Sequence, residues 1–199
     1  MRPSIRLLLT AALLIGAPLL TGCGQPPDKE LHQAQGAIDA ARAAGAEEYA
    51  PEELREAIDA LQRAHDAVQQ RDYRLALNHA LDSRERAQNA AREAADGKAA
   101  ARSRAERLLA DVTAGLAAAR ARLTAAEAAR VPKAALEGAG RDVSAAETAV
   151  QEAGAALARE DYRGAAKLLE PHTARLKEAV QSVNQSIADR QARAPRRRR

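Results

Sequence analysis

Residues 136–157 read LEGAGRDVSAAETAVQEAGAAL. Within this stretch Leu136, Ala139, Val143, Ala146, Val150, Ala153 and Leu157 alternate steps of three and four for three heptads. That spacing places them on one stripe of an α-helix, and the stripe has the width of a bundle or coiled-coil seam. The rhythm continues on both sides. Tyr162, Ala165, Leu169, His172, Leu176, Val180, Val183 and Ile187 form the next seam. Upstream, Leu54, Ile58, Leu61, His65 and Val68 form one, and Leu31, Ala34, Ile38 and Ala41 form the first. No stretch alternates with period two, so the sequence predicts an all-α fold without strands.

The helix boundaries can be read from residues with special backbone roles. Gly45 closes the first helix. Pro51 suits the first turn of the second, where Glu52 and Glu53 meet the positive end of its dipole. Asp72 and Asp161 are N-caps, Pro132 opens another helix and Pro195 ends the last. Residues 73–130 contain no proline. Their larger apolar residues gather at the ends, Leu77 and Leu81 early, Leu108, Leu109, Val112, Leu116 and Leu123 late. Between them Arg84, Arg86, Arg92, Glu93, Asp96, Lys98, Arg102 and Arg104 crowd every face. This reads as one helix of roughly 85 Å at about 1.5 Å per residue. It has a solvated waist, and Gly97 is its weakest point. The predicted architecture is an elongated antiparallel helical bundle, two three-helix units sharing one long central helix, with the first unit over 31–100 and the second over 101–190.

An internal duplication supports two units. Arg71-Asp72-Tyr73-Arg74-Leu75-Ala76 matches Glu160-Asp161-Tyr162-Arg163-Gly164-Ala165, and Pro51 with Leu54 loosely matches Pro132 with Leu136. With the leucines aligned, the second copy is seven residues longer before its tyrosine. One inserted heptad lengthens a hairpin without turning its apolar face away. Chance matches in an Ala/Arg/Glu-rich chain are the competing reading.

The start of the chain is of a different kind. Arg2 and Arg6 precede an apolar run, Leu7 to Leu20, and then Leu20-Thr21-Gly22-Cys23. A basic start, a short apolar core and small residues before a cut make a secretory signal peptide over residues 1–22. The run is shorter than the roughly 20 residues that a membrane-spanning helix needs. Residues 20–23 resemble the bacterial lipobox. That resemblance implies a diacylglyceryl group on the Cys23 thiol, cleavage before it, and three acyl chains on the mature protein. An ordinary signal peptide with a chance cysteine is the alternative. Cys23 is the only cysteine, so no intramolecular disulfide exists to claim it. Gly24 stands where Asp would, by the same resemblance, retain the protein in the inner membrane. The expected location is therefore the outer membrane, lipid-anchored and facing the periplasm, with residues 23–30 as a lipidated linker.

Without residues 1–22 the chain keeps 29 Lys+Arg and 27 Asp+Glu, a formal charge of +2. Arg196, Arg197, Arg198 and Arg199 account for more than all of it, since the body without them is −2. The basic pI thus comes from the ends. Phe and Trp are absent, and Tyr49, Tyr73 and Tyr162 are the only aromatics. Stacking on single-stranded nucleic acid has little to work with, and no nucleic-acid partner is expected. Leu, Ile and Val number 25 in residues 23–199, so the core rests on alanine, the strongest helix former.

The stretch from about 30 to 95 resembles a family of unknown function, the DUF family numbered four-three-nine-eight, found in lipoproteins of proteobacterial outer membranes. The residues that carry the resemblance are Ala44-Gly45-Ala46, Tyr49-Ala50-Pro51-Glu52-Glu53-Leu54, Ala57, Leu61, Ala64 and Asp72-Tyr73 with Ala76, Ala80 and Ala87. In many relatives this domain precedes a peptidoglycan-binding domain like that of outer membrane protein A. Here a second helical unit and a basic tail occupy that place. The family supplies no activity.

No catalytic constellation stands in the sequence. His32, His65, His79 and His172 are scattered and lack metal-ligand spacing. No Gly-rich phosphate loop occurs, and the carboxylates alternate with lysines and arginines as on solvated helix faces. The sequence therefore predicts no enzyme, no metal and no cofactor. Arg196–Arg199, in a disordered basic tail over 191–199, read equally as a contact to anionic glycan or lipid headgroups and as a solubilising end. The expected function is a non-enzymatic cell-envelope scaffold or adaptor. Its partners would be the membrane, through the lipid on Cys23, and an envelope protein or wall polymer. A second copy of the chain would also complete the narrow seams.

Overall fold

The structure is a computed structural model that describes residues 24–193. Six helices follow in order: α1 Asp28–Ala43, α2 Ala46–Tyr49, α3 Pro51–Gln69, α4 Tyr73–Ala128, α5 Lys133–Ala158 and α6 Tyr162–Ala192. No strand occurs among the described residues. The described chain divides into two compact units, residues 24–40 with 52–88, and residues 41–51 with 89–193. Three long helices contribute to each, and α4, 56 residues long, is common to both.

Unit 1 is built on alanine. α1 buries Leu31, Ala34 and Ile38, as the sequence predicts. α3 buries Leu54, Ala57, Ala60, Leu61, Ala64 and Ala67. This corrects the seam read through the larger side chains: Ile58 is 37 % exposed and His65 is exposed. Alanine lets helix backbones approach, so the closest contact forms where the side chains are smallest, and the stripe centres there. Ser83 of α4 stands on the same interface, fully buried, and its hydroxyl donates 2.8 Å to the Ala57 carbonyl oxygen. A belt of ion pairs closes one edge: Arg86 with Glu56 and Asp82, Arg63 with Asp82, and Arg55 with Glu52 and Asp59. These side chains are largely exposed, so each pair contributes little to stability.

In unit 2 the buried residues fall into two clusters. One joins Ala105 to Ala119 of α4, Val143 to Ala156 of α5, and Tyr162 to Leu176 of α6. The other joins Ala126 and Val131, Leu136 and Ala139, and Ala179 and Val183. The end of α4 thus meets the start of α5 and the end of α6, so α4 and α6 run parallel with α5 antiparallel between them in sequence. The α5 seam is buried as read, except that Ala149 and Ala156 take fully enclosed positions while Val150 and Leu157 pack at its edge.

The solvated waist is also corrected. Ala87, Ala90, Ala94 and Ala105 are buried, and with Ser83, Gly97 and Ala101 they form one continuous small-residue stripe along α4. The charges cover the other faces. Nor does α4 break at Gly97. A Cβ there would lie 3.1 Å from Tyr49 Cβ, so glycine serves close approach rather than a bend. α6 likewise continues through Pro171, although proline removes one helical N–H.

Three helices end in the same way. Arg71, Arg130 and Glu160 take φ near +60°. After α3, the Asp72 N–H donates to the Ala67 carbonyl and the Arg71 N–H to that of Val68. After α4, Val131 donates to Ala126 and Arg130 to Glu127. After α5, Asp161 donates to Ala156 and Glu160 to Leu157. These are Schellman closures. At two of them the aspartate then caps the next helix: Asp72 Oδ1 accepts from Leu75 N at 3.0 Å, and Asp161 Oδ1 from Gly164 N at 2.8 Å. The duplicated Asp-Tyr segments therefore fold into the same turn. Their tyrosines differ, with Tyr162 buried and Tyr73 half-buried.

Candidate functional site

Cys23 and Arg196, Arg197, Arg198 and Arg199 lie outside the described residues. Gly24, next to Cys23, packs in unit 1 against the Asp72-Tyr73 turn, where a Cβ would meet Tyr73 Cδ2 at 3.6 Å. Pro27 is buried close behind it, and its carbonyl accepts from Leu31 N at 3.0 Å, which starts α1. The chain thus reaches its folded part at the α3–α4 turn. The last described residue, Arg193, caps the C-terminus of α6.

The histidines are not brought together as ligands. His32 and His65 line a hollow of about 420 Å³ with Asp28, Leu31, Gln35 and Val68. Among the described residues no group of three His, Cys, Asp or Glu side chains could hold a metal ion. His172 is half-buried and its Nδ1 has no hydrogen-bond partner. Burial, reinforced by Arg175 and opposed by Asp142, lowers its pKa below the usual histidine value. No described helix is long and apolar enough to cross a membrane.

A surface groove in unit 2 lies between the parallel helices α4 and α6. Two hollows mark it. The first, of about 380 Å³, has a floor of Ala100, Ala101, Tyr162 and Ala166, with Arg104, Arg163, Lys167 and Glu170 around it. The second, of about 290 Å³, lies among Gly115, Ala118, Leu176, Lys177, Val180 and Gln181. Small residues open both. A Cβ on Gly115 would come within 3.2 Å of Leu176 Cδ1. Ala101 and Gly115 are fourteen residues apart on α4, as are Ala166 and Val180 on α6.

The rim has a definite charge pattern. Arg104 pairs with Glu170. The Arg163 guanidinium stacks over the Tyr49 ring, 4.6 Å from its centroid, and lies 3.7 Å from Glu48. Tyr49 is itself seated on Gly97. Burial, then hydrogen bonding and charge from Glu48, raise the tyrosine pKa. Beside the groove Lys98 and Glu160 meet at 2.6 Å, and their hydrogen bond raises the lysine pKa and lowers that of the carboxylate. Lys167 and Lys177 form no ion pair among the described residues. The sequence reading passed over this groove. Its signal is the series of small residues Ala101, Gly115 and Ala118, which a pattern weighted toward large apolar residues does not register.

Residues 29–107 match the family model described as a domain of unknown function, DUF4398, which bears out the resemblance read from residues 30–95. The match covers α1 to the middle of α4 and leaves out α5 and α6. It includes Tyr49, Gly97 and the Asp72-Tyr73 turn. No curated protein and no solved structure matches the chain.

Proposed function

We propose that this protein is a non-enzymatic lipoprotein of the cell envelope, held in the outer membrane by lipid on Cys23. It faces the periplasm and acts there as a helical scaffold or adaptor. The observation that carries the reading is Leu20-Thr21-Gly22-Cys23 directly after the apolar run that ends at Leu20. Two features support it. Gly24 lies against Tyr73, so the described chain meets the capped α3–α4 turn from its first residue. The described chain presents long helix faces. The lipid would contribute about 0.8 kcal/mol for each buried methylene, and more than one chain makes the attachment stable.

Intact mass of protein extracted from separated inner and outer membranes tests the anchor. The expected species begins at Cys23, is heavier by three acyl chains, and lies in the outer fraction. An unmodified chain in the soluble fraction refutes it. Affinity capture from envelope extract tests the adaptor role, and recovery of no specific protein or wall fragment counts against that role. A second reading rests on the four consecutive arginines, Arg196–Arg199, as a contact to anionic glycan or lipid headgroups. Deleting them would then weaken binding, and added salt would mimic the deletion.

A further inference from the structure

Building on the adaptor reading, we infer that the groove between α4 and α6 seats an acidic, heptad-patterned helix of a partner protein. Three observations meet here. The groove runs between two parallel helices, and a helix laid along it would turn the three-helix core of unit 2 into a four-helix arrangement. Its floor is cut down to Ala100, Ala101, Gly115 and Ala118, which leaves room for an incoming side chain in each hollow. The hollows are fourteen residues apart on both walls, about 21 Å at 1.5 Å per residue. Fourteen residues are two heptads, so a helix with apolar residues at heptad spacing places one in each hollow.

Charge selects the partner's sign. Arg104, Arg163, Lys167 and Lys177 line the two hollows, against Glu170. Asp111, on the same face of α4 between the hollows, is the second carboxylate, and Glu48 beside Arg163 is the third. Arg104 and Arg163 already have acidic partners, whereas Lys167 at the first hollow and Lys177 at the second have none among the described residues. Acidic residues flanking the partner's apolar stripe would meet these two lysines. Such rim charges set the approach rate and the salt dependence more than the final affinity.

The test titrates the full chain with a synthetic helix carrying leucines at heptad positions and flanking glutamates, and with a twin carrying lysines instead. The acidic helix is expected to bind, the twin at least about tenfold more weakly, with added salt reducing the difference. A Lys167→Glu/Lys177→Glu variant should reverse that preference. Ala118→Tyr, at an exposed position, should fill the second hollow and weaken binding about tenfold while helicity by circular dichroism is kept. Equal binding of the two peptides, or variants that bind like the natural chain, overturns the inference. So does a homodimer in sedimentation that these variants dissolve, because the groove then belongs to a second copy. If neither peptide binds while envelope capture still returns a specific partner, this inference falls and the adaptor reading stands. Failure of both experiments removes both.

Discussion

Three residues hold a backbone conformation that their side chains disfavour. Arg71, Arg130 and Glu160 sit at φ near +60° because each closes a Schellman motif, and an L-residue there costs roughly 1–2 kcal/mol. Arg130→Gly should therefore raise stability by about 1 kcal/mol, read as a higher midpoint in thermal or urea unfolding. A midpoint that does not rise would show the strain to be relieved some other way. His172 makes a prediction of a different sort. Its pKa in the folded chain is lowered from about 6.5, so below that pH the unfolded chain takes the proton more readily. Stability is then full at pH 7 and falls as pH drops from about 6.5 toward the folded value. His172→Leu should flatten the unfolding midpoint between pH 7 and 5.5. An unchanged pH profile would assign the dependence to other groups. Neither effect is legible in the sequence. A positive φ is imposed by the chain's path after the helix, and an unpartnered nitrogen by neighbours distant in sequence.

Within the helices, glycines of similar appearance do different work. Gly138 in α5 has nothing within 4 Å of a built Cβ, so alanine there adds helix propensity without a clash. Gly138→Ala should stabilise by about 0.5–1 kcal/mol. Gly97 lies under Tyr49, and Gly97→Val should destabilise by about 1–3 kcal/mol, because the added methyls displace the ring and Arg163 stacked above it. Chemical unfolding of the two variants side by side checks the contrast, and equal effects would contradict it. The sequence placed every long helix, its Asp caps and the proline starts, since these depend on local spacing and capping. It misassigned the α3 seam and the waist of α4, because a pattern weighted toward large apolar residues passes over Ala57, Ala87 and Ala94, and only close packing reveals them as core. α2 escaped notice for a related reason: four residues are too few to show a period.

For the whole molecule, the division into units does not follow chain order. Residues 41–51 connect α1 to α3 yet pack with the second unit, where Tyr49 meets Gly97 and Arg163. Tyr49→Ala should thus speed amide hydrogen exchange in the first turns of α6 while leaving the middle of α3 protected. The reverse pattern would place that segment's energetic role in unit 1. The proposed anchor at Cys23 and the proposed anionic contact at Arg196–Arg199 are tested by mass and by deletion. The sequence alone determined the helical class, the long helix, the repeated Asp-Tyr turn and the resemblance to DUF4398, because spacing, caps and motif residues act over short stretches of chain. Only the tertiary structure decided which alanines form the core, why Gly97 is small, and where α4 and α6 leave a basic groove. Those properties depend on how closely two helices approach, a distance that no single helix specifies.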